Sequence, residues 1–230
     1  MLAMPTALLR VLQRGFARLP PGSPLRRRWL KRTNALGFAA ASREDYEVAL
    51  LLCEPDVEIS MAFEGARTVG LAESYHGHQG FLDAMRDLRQ DMADLRFEPE
   101  QIIDLGDRTA VRVTFVAVGR SGGVAIRQTR GNIFYNSPRG LVARLEHYLT
   151  WEDALAALGR SIELRGGGDG TDWFFMAMAL ARKGERERAL AYYVRAADWT
   201  DRHSALDGEL RRLRAEAAAL LGLKEDLAAP

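Results

Sequence analysis

The chain has a single cysteine, Cys53, in 230 residues. One thiol closes no internal disulfide, so a disulfide framework is excluded and a reducing, cytoplasmic setting is expected. No run approaches the roughly 20 apolar residues that a membrane-spanning helix needs. Histidine is scarce too, and of the four present only His76 and His78 are close neighbours. Without a matching His or Cys cluster elsewhere, no metal site and no cofactor are expected. Net charge is nearly absent, since 32 Lys and Arg face 31 Asp and Glu. That balance excludes a surface that traps polyanions as a whole.

Acid is missing from one stretch. Arg10 to Arg32 holds eight Lys or Arg and no Asp or Glu. It reads as a solvated basic arm or as a contact for an anionic lipid surface or nucleic acid. No aromatic ladder or nucleic-acid motif supports the nucleic-acid reading. The opening MLAMPTALLRVLQRGF is broken by Arg10 and Arg14 and lacks a clean small-residue cleavage site. It is read as a short amphipathic segment or flexible leader, not a signal peptide. GGGDG at 166–170 lacks the preceding strand and the Lys-Ser/Thr of a phosphate loop, so it is read as a hinge.

What is present has two organisations. PPGSP at 20–24 separates the leader, residues 1–24, from an amphipathic helix ending near Ser42. Ser42-Arg43-Glu44-Asp45 reads as a capping box opening a second helix, with Pro55 stopping it. Asp56 to Met61 alternates polar and apolar and predicts a strand, with Asp56 and Glu58 on a solvated face. A third helix follows, carrying Phe81, Leu82, Met85, Leu88 and Met92 on one side. Then 95–105, 109–118, 124–135 and 141–150 predict four strands joined by Gly-containing turns. Segregated helices and strands predict an α+β domain: a cone-shaped curved antiparallel sheet packed on three helices around a cavity. From Trp151 the period is helical again. Helices are predicted over 151–164, 173–183 (capped by Thr171 or Asp172) and 185–199, then around Leu210, Leu213, Ala217 and Leu220. This is an all-α helical-hairpin module.

Several blocks carry a family resemblance. Pro55-Asp56-Val57-Glu58, Tyr75-His76-Gly77-His78-Gln79-Gly80, Leu95-Arg96-Phe97-Glu98-Pro99-Glu100, Asp104-Leu105-Gly106-Asp107-Arg108 and Arg144-Leu145-Glu146-His147-Tyr148-Leu149 stand in order. In that order, residues 25–158 resemble the SnoaL-like domains of the nuclear transport factor 2-like superfamily. The resemblance implies the conical pocket and frequent homodimers. It also implies a membership split between enzymes (polyketide cyclases, isomerases, epoxide hydrolases) and non-catalytic ligand binders.

In the second module, Trp173, Ala177, Gly184, Ala189, Tyr193 and Ala196 fall where tetratricopeptide repeats place a Trp, small residues, a helix-closing Gly and an aromatic. Asp201 stands where the repeat usually has Pro. Ser161 to Leu221 also resembles C-terminal repeat pieces of large bacterial signalling proteins. The resemblance implies a protein-docking segment over 159–224, sharing helix 151–164 with the first module.

The candidate site residues follow. Counting back from Gly159 puts Thr150 where SnoaL-like cyclases carry their catalytic Asp. Threonine cannot replace a carboxylate in acid/base work, which counts against cyclase chemistry. Arg144, Glu146, Tyr148 and Thr150 share one strand face. If that face is inside, Glu146 and Tyr148 form an acid/base pair. Otherwise Glu146 pairs with an Arg such as Arg127 or Arg130. Tyr75, His78, Asn132, Phe134 and Thr150 are the candidate ligand contacts, although Thr129, Gly131 and Ile133 form an equally available face. Trp173, Tyr192, Tyr193 and Trp199 are groove and core residues of the hairpin, or partner contacts where exposed. The expected function is a small-molecule-binding or scaffolding protein for a small apolar ligand, with a docking segment. The alternative is a cofactor-independent isomerase, cyclase or hydrolase.

Overall fold

A computed structural model describes residues 6–20, 23–164, 169–182, 184–203 and 208–223. Contacts divide the chain into two compact units, residues 1–151 and 152–230.

In the first unit the basic leader contains a helix, α1 (Thr6–Ala17), and α2 (Pro24–Ser42) follows. Phe16 stacks on Trp29 with ring centroids 4.6 Å apart. Pro at the first position of α2 suits its entry, because the missing N–H would have no partner there. Arg26 on α2 is buried. Its Nε and Nη2 donate to Asp104 at 2.6 and 2.9 Å, and its Nη1 donates to the carbonyls of Ala17 and Leu19. One guanidinium therefore joins α1, α2 and the strand that ends at Asp104.

The expected capping box at Ser42 is corrected. Ser42 is the last residue of α2; its Oγ donates to Phe38 O at 2.7 Å and accepts from the Phe97 N–H at 2.9 Å. Glu44 turns the chain with φ +61°, and the next helix, α3, spans only Tyr46–Leu50. Pro55 lies inside β1 (Cys53–Met61), where the register shifts between Cys53 and Glu58. Proline supplies no ladder donor, so a register break is where a strand accepts it.

After β1 come β2 (Ser74–His76), α4 (Gly77–Gln90), β3 (Met92–Asp104), β4 (Arg108–Gly119), β5 (Ala125–Asn136) and β6 (Val142–Tyr148). They form a six-stranded curved sheet in the order β2-β1-β6-β5-β4-β3. At three residues, β2 is too short to show alternation in the sequence. Met92, expected on a helix, opens β3 instead. The sheet is antiparallel except for β1 and β6, which pair in parallel, Ile59 opposite Leu145. Strands so distant in sequence are free of the hairpin that forces antiparallel pairing. β3 carries register breaks near Asp94 and at Pro99–Gln101. Such irregularities bend an edge strand and increase its twist. Leu95, Phe97, Val113, Phe115 and Ala117 pack on Met85 and Ala41, which seats α2 and α4 in the curve.

α5 (Trp151–Leu164) begins at the last residue of the first unit, and the second unit continues with α6 (Gly170–Arg182), α7 (Arg186–His203) and α8 (Gly208–Leu221). The cap of α6 is Asp169, not Thr171 or Asp172. The Asp172 N–H donates to Asp169 Oδ1 at 3.1 Å, and the Asp169 N–H donates to Asp172 Oδ2 at 3.2 Å. That is a reciprocal box built from two aspartates. The expected hinge at Gly166–Gly168 lies outside the described residues. Ala177, Ala189 and Ala196 are fully buried. Small side chains at those positions let helices approach closely.

Candidate functional site

Strand alternation decides what faces the hollow of the first unit. In β5 and β6, Asn132 stands opposite His147 and Phe134 opposite Leu145. Directly opposed residues of an antiparallel pair share a face. These four residues line a cavity of about 180 Å³. Phe38, Phe81, Phe97, Phe115 and Trp29 supply most of its aromatic wall. Phe97 meets Phe115 edge-on at 4.8 Å, and Phe38 meets Phe134 edge-on at 6.1 Å. Among the described residues, no Asp, Glu, Lys or Arg lines this cavity.

Gln13, Thr33, Asn34, Thr109 and Asn136 add polar groups to the wall, and His147 and Asn132 form a buried hydrogen-bonded pair on it. His147 Nδ1 and Asn132 Oδ1 are 2.7 Å apart. An amide oxygen only accepts, so Nδ1 carries the proton and donates, leaving Nε2 as an acceptor. The imidazole stacks on Phe115 at 5.3 Å and meets Phe63 edge-on at 6.2 Å. Burial, and then the nearby Arg130 cation, push the His147 pKa down to about 3. Arg130 lies over the Phe115 ring, and burial lowers its own pKa.

This depressed pKa has a stability consequence. An unfolded histidine titrates near 6.5. Between about pH 6.5 and 3 the unfolded chain takes up a proton that the folded chain refuses, so stability falls as pH falls. The slope is at most about 1.4 kcal/mol per pH unit. In urea unfolding, the stability difference between the native chain and His147→Phe should shift by about 2 kcal/mol between pH 7 and pH 5, against the native chain. An unchanged difference across that range would contradict a buried neutral imidazole.

The remaining candidate residues are placed as follows. Glu146 and Tyr148 face away from the cavity, because they alternate with His147. Glu146 instead accepts from Tyr148 Oη at 2.8 Å, from Tyr135 Oη at 3.0 Å and from Arg144 at 2.6 Å. Its cationic partner is thus Arg144, not Arg127 or Arg130. Thr150 is exposed beyond the end of β6 and lines nothing in the cavity. Tyr75 is buried against β1 and α4, where its hydroxyl donates to Asp87 at 2.8 Å and accepts from the Ala72 N–H at 2.8 Å. Burial, and then its bond to Asp87, raise its pKa to about 12. It does not border the cavity. His78 sits half-buried in the first turn of α4, also off the cavity wall. Asn132 and Phe134 lie on the wall.

His147 stands apart from the other histidines in the sequence. Its strand face also carries Leu145 and Leu149, while the opposite face carries Arg144 and Glu146. That contrast was the available signal for the inside. Cys53 also lines the cavity; burial, and then the Glu54 charge, raise its pKa to about 12, which keeps it a thiol. Among the described residues no cluster of three or more His, Cys, Asp or Glu could hold a metal, and no helix is long and apolar enough to cross a membrane.

In the second unit, Trp173 and Tyr193 are buried inside the helical hairpin, so they are not surface contacts. Phe174 meets Tyr193 edge-on at 5.8 Å, and Arg195 lies over the Trp173 ring at 4.1 Å. Tyr192 and Trp199 are half-buried; Trp199 stacks on His203 at 4.8 Å.

A curved sheet closed by helices over an apolar pocket defines a ligand-pocket class of α+β domain. More specifically, residues 37–145 match the family model described as SnoaL-like domain. No curated protein matches the chain. Solved structures similar to it include TerC co-crystallised with polyporic acid, at 23% identity over 51% of this chain and 88% of that one, TM-score 0.47. An NTF2-like protein of unknown function from Burkholderia pseudomallei shares 21% identity over 55% of this chain and 94% of that one, TM-score 0.48. A Mycobacterium tuberculosis protein in complex with estradiol-17beta-hemisuccinate shares 16% identity over 50% of this chain and 89% of that one, TM-score 0.41.

Proposed function

We propose that the first unit is a non-catalytic receptor for a small, neutral, largely apolar molecule. The observation that carries this is a cavity walled by aromatic rings with neither carboxylate nor cation on its lining among the described residues. An apolar cavity of roughly 150 Å³ accepts a benzene-sized guest, so about 180 Å³ suits a ligand of one or two small rings. Calorimetric titration of the full chain with neutral ring compounds should show saturable binding of one molecule per chain. Charged ring compounds of the same size should bind at least about tenfold more weakly, because a buried charge there finds no partner. Equal binding of charged and neutral rings would contradict the reading.

A second reading keeps catalysis, with His147 as the proton acceptor in an isomerase, cyclase or hydrolase. What favours it is the fixed tautomer that leaves Nε2 as a base. What opposes it is a pKa of about 3, well below the range that suits a general base at neutral pH. Turnover of a neutral ketone or epoxide that His147→Gln abolishes would establish catalysis instead of simple binding.

The helical unit fits a protein-docking segment of tetratricopeptide type. Its buried aromatics serve its own hairpin, while Leu190 and Val194, one helical turn apart on α7, are exposed. A photo-crosslinker at Val194 should capture a protein partner in cells where one at Tyr193 does not. Equal capture at both would contradict this role.

A further inference from the structure

We infer that the cavity selects a ligand bearing a hydroxyl group, a neutral aromatic or alicyclic alcohol, held between His147 and Asn132. The inference rests on the binding reading above and narrows it to a chemical class. His147 and Asn132 are buried, on facing positions of β6 and β5, and both line the cavity. Their mutual hydrogen bond uses Nδ1 of the ring and Oδ1 of the amide. His147 Nε2 and the Asn132 amide nitrogen make no further hydrogen bond among the described residues. One is an acceptor and the other a donor, and both border a largely apolar wall that also carries Gln13, Thr33, Asn34, Thr109 and Asn136.

A buried polar group without a partner is costly, so such a pair favours the guest that completes it. A hydroxyl both donates and accepts, so one oxygen can serve Nε2 and the amide together. An ether or ketone only accepts and leaves Nε2 unpaired. A hydrocarbon serves neither atom. A carboxylate also only accepts, so it too leaves Nε2 unpaired, and burying its charge costs more than burying a neutral group. Sites built to hydrogen-bond a substrate hydroxyl discriminate strongly against analogues that lack it.

The test is calorimetric titration of the full chain with naphthol, its methyl ether, naphthalene and naphthoate. Naphthol should bind roughly 10- to 100-fold more tightly than the methyl ether or naphthalene, with naphthoate weakest. In His147→Phe the advantage of naphthol should collapse to within about threefold of naphthalene, whose own binding persists. Naphthol, ether and naphthalene binding equally to the native chain would overturn the hydroxyl assignment and leave the apolar receptor standing. Failure of all four to bind would overturn both. The native-chain ratio decides the matter even where the variant does not fold.

Discussion

Replacing Arg26 by methionine should destabilise the first unit by about 3–5 kcal/mol, the cost of leaving a buried charge without its partner. Arg26 is 4% exposed and the Asp104 side chain 10%. The guanidinium satisfies both oxygens of Asp104 and the carbonyls of Ala17, Leu19 and Gly106. Methionine fills similar space but donates nothing, so three carbonyls lose this donor together and Asp104 keeps only the Gly106 N–H. The loss reaches the cavity, because Gln13 on α1 and Trp29 on α2 both line it. Hydrogen exchange of α1 amides should therefore accelerate more than exchange in β5. Adding Asp104→Asn removes the orphaned charge and should restore a substantial part of the loss. A single variant within about 0.5 kcal/mol of the native chain, the scale of an ordinary surface change, would show that the clamp contributes little.

The second large effect belongs to the helical unit. Phe174→Ala should cost about 3–5 kcal/mol, the usual range for emptying a core aromatic. Phe174 is 0% exposed and packs edge-on against Tyr193, which ties α6 to α7. Small residues surround the closest helix approach: Ala177, Ala189 and Ala196 have no side-chain length with which to fill the void. Phe174→Leu should recover more than half of the loss, since it restores much of the volume. Urea unfolding of the full chain reads both variants. Equal stability of the alanine and leucine variants would contradict a packed hairpin core.

The strands of the meander were legible because alternation and glycine turns mark them locally. Gly106, Gly123 and Gly140 all adopt positive φ, as turn residues must. The parallel β1–β6 ladder was not legible. It joins Ile59 to Leu145, and no local pattern reports a contact across that separation. The phase of β6 is open in the sequence for a related reason. Thr150 inside would bring Glu146 and Tyr148 in with it, whereas a Glu146–Arg pair puts that face outside. The deciding contact is Asn132 with His147, and it appears only once β5 is laid beside β6. Ser42 misled because a serine followed by acids resembles a helix start, whereas here its hydroxyl ties a helix end to β3. The α6 cap is hard to read because Asp169 sits in a glycine run that marks a turn, while Thr171 and Asp172 stand next to the helical pattern.

The most direct measurement is a crystal structure of the full chain with a saturating neutral aromatic alcohol. The ring should lie among Phe38, Phe97, Phe115 and Phe134, with its oxygen within hydrogen-bond distance of His147 Nε2. A pocket holding only ordered water at saturation, or a ligand bound elsewhere, would contradict a receptor built on this cavity.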